Sequence, residues 1–203
     1  MVPEGVLMAF RFVAIGASLG GTNALQVLLP ALPGDFPAAL TVVLHRGRDS
    51  DESLIHFLQT NCLLPVGEAQ DKTLITPGHV YVAPADYHLL VEGNHFALST
   101  EAAVAYARPS IDVLFESAAE AWGKAAIGVI LTGAGQDGAQ GLAAIKRYGG
   151  LTVVQAPATA ECSDMPNAAL ATGMVDEILP LDEIAPFLGR RCSLIQGTWG
   201  AQP

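Results

Sequence analysis

Short continuous apolar runs, each cut off by a glycine-rich or polar turn, set the pattern of this chain. Residues 12–15 (FVAI), 39–44 (ALTVVL), 126–131 (AIGVIL) and 151–155 (LTVVQ) read as strands buried on both faces. After the first run, Leu25, Leu28, Leu29 and Leu32 recur at helical spacing, and further helices are predicted over 109–122, 139–148, 165–171 and 182–188. Pro109 is placed at the start of its helix, where a missing N–H costs nothing. Shorter strands are predicted at 65–68, 79–83 and 175–179. The polar stretch HRGRDSDES leads into a short helix ending near Thr60, for which Ser50 or Asp51 is a candidate cap. Residues 87–91 and 95–99 flank Glu92, Gly93 and Asn94, the pattern of a hairpin with a glycine turn. Strands alternating with helices in this way predict an α/β fold. The sheet should be mostly parallel and doubly wound, with helices on both faces and one antiparallel hairpin. No repeat, low-complexity segment or linker interrupts the pattern, so one domain is expected over 1–203, with its core at about 12–189.

Composition narrows the partners. The chain has 203 residues, 51% of them hydrophobic and only 15% charged, with 21 glycines and 13 prolines, which suits a turn-rich α/β core and not a disordered chain. A net charge of −10 disfavours nucleic acid and anionic membranes, because both are bound through Lys and Arg. No apolar run approaches the roughly 18 residues of a membrane span, and the N-terminus lacks the pattern of a signal peptide. Cys62, Cys162 and Cys192 are widely spaced and show no zinc pattern. They read as reduced packing thiols of a cytoplasmic protein, and Met165 and Met174 read as core. No metal or organic cofactor is called for.

The candidate chemistry sits at strand ends. In 12–23 (FVAIGASLGGTN) the first strand breaks at Gly16, and Ser18 stands in the turn before a helix. His45 ends the second strand, and Asp137 lies in the loop TGAGQDG after the third long run. In open α/β sheets the functional crevice lies outside the carboxyl ends of the strands. A serine needs a base to become a nucleophile, histidine is the usual base, and a carboxylate fixes the imidazole. Each residue also has a plainer reading. Ser18 could be a helix N-cap, His45 a strand-end residue, and Asp137 a turn residue or the N-cap of the following helix. His56, His79, His88 and His95 are equally available histidines. Residues 133–138 (GAGQDG) also fit a dinucleotide fingerprint, but Asp137 would face the pyrophosphate and the next strand ends in Gln155 instead of a ribose-binding acid.

Several long segments in one order carry more weight than these motifs. AIGASLGG, VVLH, TPGHVYVAPADYHLLV, RPSIDVLFESAA, GVILTGAGQDGAQGL and VVQAPATAECSDMPNAAL together resemble the catalytic domain of the chemotaxis protein-glutamate methylesterases (CheB-type) from about Val13 to Leu188. The resemblance implies hydrolysis of glutamate methyl esters on the cytoplasmic helices of methyl-accepting chemoreceptors, with deamidation of certain receptor glutamines. By position it implies Ser18 as nucleophile, His45 as base and Asp137 as orienting acid, with backbone N–H groups of Leu19, Gly20, Ala134 and Gly135 forming the oxyanion site. The alternatives are an esterase or amidase on another substrate, or a non-catalytic chemosensory interaction module. Leu19 stands where the family usually has Thr, Ala134 where it has Met, and Arg46 and Gly47 where Met–Pro often follows the histidine. Arg46 and Arg48 add positive charge beside the presumed cleft, which could attract an acidic receptor segment; the preferred reading is two solvated loop charges. The family commonly carries a phosphorylatable receiver domain; about ten residues precede the first strand here, which fits either a stand-alone member, with an external regulator in place of the receiver, or a domain trimmed from a longer protein.

Overall fold

Each long apolar run becomes a strand of one sheet in the computed structural model, which describes residues 11–46, 53–104 and 106–193. The strands are β1 (Phe12–Ala17), β2 (Ala39–Leu44), β3 (Val66–Glu68), β4 (Val80–Val82), β5 (His88–Glu92), β6 (His95–Ser99), β7 (Ala126–Ile130), β8 (Leu151–Gln155) and β9 (Glu177–Leu179). Seven of them join in the order β3-β4-β2-β1-β7-β8-β9, with every ladder parallel. β5 and β6 form a separate antiparallel pair, in which Glu92 faces His95 across the two-residue turn Gly93–Asn94. The doubly wound sheet and the hairpin are those expected from the apolar pattern.

Helices α1 (Gly21–Leu28), α2 (Ser53–Gln59), α3 (Ile111–Trp122), α4 (Ala139–Arg147), α5 (Asp164–Ala171) and α6 (Leu181–Cys192) connect the strands. Side chains alternate across β1, so Val13, Ile15 and Ala17 join one apolar layer with Leu25 and Leu28 of α1 and Ile184 and Leu188 of α6. Phe12 and Ala14 face the other layer, with Ile111, Leu114 and Phe115 of α3, Leu142 and Ile145 of α4, and Met165 of α5. Most of these side chains are fully buried. Each large one contributes roughly 1.5–3 kcal/mol of transfer free energy. The hairpin lies over α3, where Leu89, Val91 and Phe96 join the same layer and the Val91 N–H donates to Ser117 Oγ at 3.1 Å.

Local boundaries differ from the sequence reading for identifiable reasons. α1 stops at Leu28 and tightens into a 3-10 turn, Leu29–Ala31, because Pro30 has no N–H to continue the ladder. Pro109 does not open α3: Ser110 is the N-cap, its hydroxyl accepting the Val113 N–H, and Pro109 precedes it. α6 runs four residues past Leu188 and buries Cys192. Met165 is core, but Met174 is 38% exposed, because it follows the left-handed Gly173 turn that ends α5's excursion. Cys162 is half-buried while Cys62 and Cys192 are buried. The proposed caps Ser50 and Asp51 lie outside the described residues.

Candidate active site

Strand register brings two of the three expected residues together. Ala17 pairs with Leu44, so Ser18 and His45 leave neighbouring strand ends side by side. The Ser18 N–H donates to the Thr132 carbonyl and the His45 N–H to the Ala17 carbonyl, each at 3.0 Å, which extends both ladders through the two residues. From β1 the chain winds one way to β2 and later the other way to β7, so Ser18 stands at the reversal, where such sheets open a crevice. Ser18 is not a helix cap. Gly20 is the N-cap of α1, in the left-handed region at φ +78°, and a Cβ there would meet Glu161 Cβ at 2.7 Å. Below Ser18 lies Gly133, where a Cβ would sit 2.8 Å from Ser18 Cβ and 2.1 Å from Met165 Sδ. Among the described residues Ser18 Oγ has no hydrogen-bond partner.

His45 Nε2 and Asp137 Oδ2 are 2.8 Å apart, with the imidazole 21% exposed and the carboxylate 4% exposed. Nε2 therefore carries the proton donated to the carboxylate, and Nδ1 is the nitrogen left as a base. In the serine-protease template the acid takes Nδ1 and the base is Nε2, so the imidazole is used here the other way round.

The plainer reading of Asp137 as the N-cap of the helix that follows it does not hold. Instead Gly138 caps α4, and the Asp137 side chain reaches back to the start of α3. It accepts the Ser110 hydroxyl at 2.9 Å, the Ile111 N–H at 2.7 Å and the Asp112 N–H at 3.0 Å. Those amides belong to the N-terminal turn of α3, which has no carbonyls of its own to satisfy them and which favours negative charge. Burial alone would push the Asp137 carboxyl up, but the hydrogen bonds from His45, Ile111, Asp112 and Ser110 outweigh it and hold it below the ordinary carboxylate value. The acid behind His45 therefore stays ionised.

Beside it, burial pushes Asp112 up to about 6, with the Asp137 and Glu116 charges adding to the rise against its bond from the Gly141 N–H at 2.7 Å. Its folded form holds a proton that the unfolded chain releases near 3.8. The contribution of this group to stability therefore falls as pH rises from about 4 to about 6. Asp112→Asn, whose amide oxygen can still accept from Gly141, is expected to flatten that decline and to raise stability at pH 7 by about 1 kcal/mol after solvent screening. Urea unfolding of both proteins at pH 4.5 and 7 checks it; equal pH dependence would contradict it.

The other described histidines have different places. His88 Nδ1 accepts the Ser110 N–H while Nε2 donates to the Ala102 carbonyl, so it is a buried structural residue. His79 bonds Thr76 and Pro77, and His56 and His95 are exposed. Ala134 and Gly135 line one cleft with His45 and Asp137, while Leu19 and Gly20 follow Ser18 into α1. Among the described residues, no carbonyl or side chain accepts the N–H groups of Leu19, Gly20, Ala134 or Gly135. A second cleft adjoins the first at His45, Tyr106 and Ala107, and continues along Arg46, Asp86, Arg108 and Pro109. Arg46 is not a solvated loop charge: its side chain is only 7% exposed, because it folds back onto the ends of β3 and β4. Arg48 lies outside the described residues. Of the glycines at 133, 135 and 138, Gly135 lines the first cleft, and the carboxylate that the dinucleotide reading found misplaced faces α3.

The fold and site define a parallel α/β sheet with a Ser–His–Asp set gathered at its carboxyl edge. The chain belongs to the CheB methylesterase family, which matches residues 13–188. A Leptospira interrogans relative is 47% identical over 184 residues, covering 90% of this chain and 95% of its own. The protein-glutamate methylesterase/protein-glutamine glutaminase 1 of Cupriavidus pinatubonensis is 45% identical over 193 residues, covering 95% of this chain but 57% of its own length. The crystal structure of the Thermotoga maritima CheB methylesterase catalytic domain superposes with a TM-score of 0.86 at 34% identity, covering 90% of this chain and 99% of that one. Among the described residues no helix is long and apolar enough to cross a membrane.

Proposed function

We propose that this chain hydrolyses methyl esters of glutamate side chains on the cytoplasmic helices of methyl-accepting chemoreceptors, and deamidates receptor glutamines by the same route. The observation that carries the reading is the His45–Asp137 pair at 2.8 Å, anchored on α3 and set beside Ser18 by strand register. His45 Nδ1 takes the Ser18 hydroxyl proton as Oγ attacks the ester carbonyl. The unpaired N–H groups of Leu19, Gly20, Ala134 and Gly135 are the donors for the oxyanion. The imidazolium, held by the ionised Asp137, returns the proton to the leaving methoxide, and methanol departs. A water deprotonated by His45 then cleaves the acyl-enzyme, leaving glutamate and free Ser18. With glutamine as substrate, ammonia leaves instead. The work is cytoplasmic, where those receptor helices lie.

The test is methanol release from a methylated receptor cytoplasmic fragment. Wild type should release methanol, and Ser18→Ala and His45→Ala should each lower the rate by about 10⁴-fold or more. A serine-hydrolase probe should label the wild type and not Ser18→Ala. Labelling without methanol release would reject the receptor substrate, and the absence of both would reject the catalytic roles.

A further inference from the structure

The cleft beside His45 holds a cation with unused donors. Arg46 Nη2 donates to Glu68 Oε2 at 3.0 Å and to the Ala83 carbonyl at 3.2 Å, which fixes the guanidinium against the ends of β3 and β4. Its Nε and Nη1 are out of contact with solvent and, among the described residues, have no hydrogen-bond partner. Thr41 Oγ1 and Trp122 Nε1 are also buried without partners among the described residues, but both are neutral. An unmatched buried N–H on a charged group is costly, typically by more than the 1–3 kcal/mol of a neutral one. Glu68 compensates only in part, because it is 49% exposed and meets a single nitrogen.

Arg108, the other described cation of this cleft, is not in the same position. Its Nε and Nη2 donate to Asp86 Oδ1 at 3.1 and 2.7 Å, and its Nη1 to the carbonyls of Thr100 and Glu101. The unmet demand for an acceptor in the cleft thus falls on Arg46. The group that reacts at Ser18 cannot meet it with charge, since an ester and an amide are both neutral. A guanidinium with free N–H groups is matched best by a carboxylate. Attraction must also be local, because a net charge of −10 repels an acidic segment at long range.

We infer that Arg46 is a specificity-determining residue whose guanidinium, by turning its sealed Nε–Nη1 edge into the cleft, receives a carboxylate side chain of the substrate segment, next to the glutamate that reacts at Ser18. The inference deepens the hydrolase reading above and rests on it. The cleft of about 390 Å³ that His45, Arg46, Tyr106 and Arg108 line has room for one such side chain beside the reacting one.

Two receptor fragments that differ only in one residue beside the methylated glutamate, Glu in one and Gln in the other, test it. Methanol release at fixed ionic strength gives kcat/KM for each. Wild type should prefer the acidic fragment by about tenfold, the size of one charge-assisted hydrogen bond. Arg46→Met should bring the ratio to about one, and Arg46→Lys, with charge but no fork, should restore part of it. A wild-type ratio near one, or an Arg46→Met ratio equal to wild type's with both rates lowered together, would overturn the inference and leave Arg46 as a structural tie. If wild type cleaves neither fragment, the hydrolase reading fails, and titration with a diglutamate peptide decides separately. Movement of the His45 imidazole resonances in wild type and not in Arg46→Met supports carboxylate capture by Arg46; no movement in wild type rejects it.

Discussion

Asp137→Asn is expected to lose about 10⁴-fold in kcat and, unlike a change to a group acting on His45 alone, about 2 kcal/mol of stability as well. Both carboxylate oxygens receive donors only: Oδ1 from Ser110 and Asp112, Oδ2 from His45 and Ile111. An asparagine amide must therefore aim its NH₂ at a backbone N–H in either orientation, at Ile111 in one and at Asp112 in the other. With the NH₂ toward His45, Nε2 would become an acceptor, and the proton would move to Nδ1, where the base is needed. The pH response follows from the lowered carboxyl. In wild type the ionised Asp137 stabilises the fold above the ordinary value of 3.8, and that contribution is lost as pH falls through the lower folded value. The variant lacks this acid-sensitive contribution. Methanol-release kinetics and urea unfolding between pH 3 and 7 measure both effects. A kcat within tenfold of wild type would remove Asp137 from the proposed mechanism.

Gly133→Ala should damage the site from below. The new methyl would overlap Met165 Sδ at 2.1 Å and Ser18 Cβ at 2.8 Å, so something must move. Overpacking of this kind costs about 1–3 kcal/mol. Displacing the nucleophile by a fraction of an ångström to one ångström lowers kcat on the order of 100-fold. The two contacts separate in a double variant. With Met165→Ala the sulfur is gone, so Gly133→Ala/Met165→Ala should be more stable than the sum of the single costs predicts. Its kcat should remain low, because the Ser18 contact persists. Additive stability costs would show that the Met165 contact does not set the tolerance at this position, and a kcat recovered along with stability would show that Met165 alone does, without Ser18.

The sheet was legible because strands buried on both faces leave uninterrupted apolar runs, and 39–44 and 151–155 match β2 and β8 residue for residue. Ser18 and His45 could be placed at carboxyl ends for the same reason: each stands where an apolar run stops. What the sequence hid were contacts between distant segments. Asp137 is 26 residues from Ile111, and no spacing marks a carboxylate that serves another element's N-terminus. A sequence signal did exist in the Ser110 hydroxyl ahead of an apolar run, but it pointed to a local cap and not to a link between α3 and the site. Arg46 misled in the opposite direction. Its neighbours in HRGRDSDES are polar, so the stretch reads as solvated, yet its side chain turns inward to meet Glu68 and Ala83. Tyr106 and Arg108 line the cleft from an irregular segment with no periodicity to read.

The two flanks of the sheet have a bearing on how the molecule behaves at high concentration. β3 and β9, the outermost strands, are three residues long, and each carries a glutamate, Glu68 and Glu177. A neighbouring copy that tried to add a strand would find few backbone groups to catch and a carboxylate in the way. The long, almost wholly apolar strands, which would self-associate most readily if bared, occupy the middle of the sheet under two helical layers. Fibril-forming sequence is thereby kept behind the cooperative opening of the whole domain, and colloidal stability is set by the unfolding equilibrium instead of by the native surface.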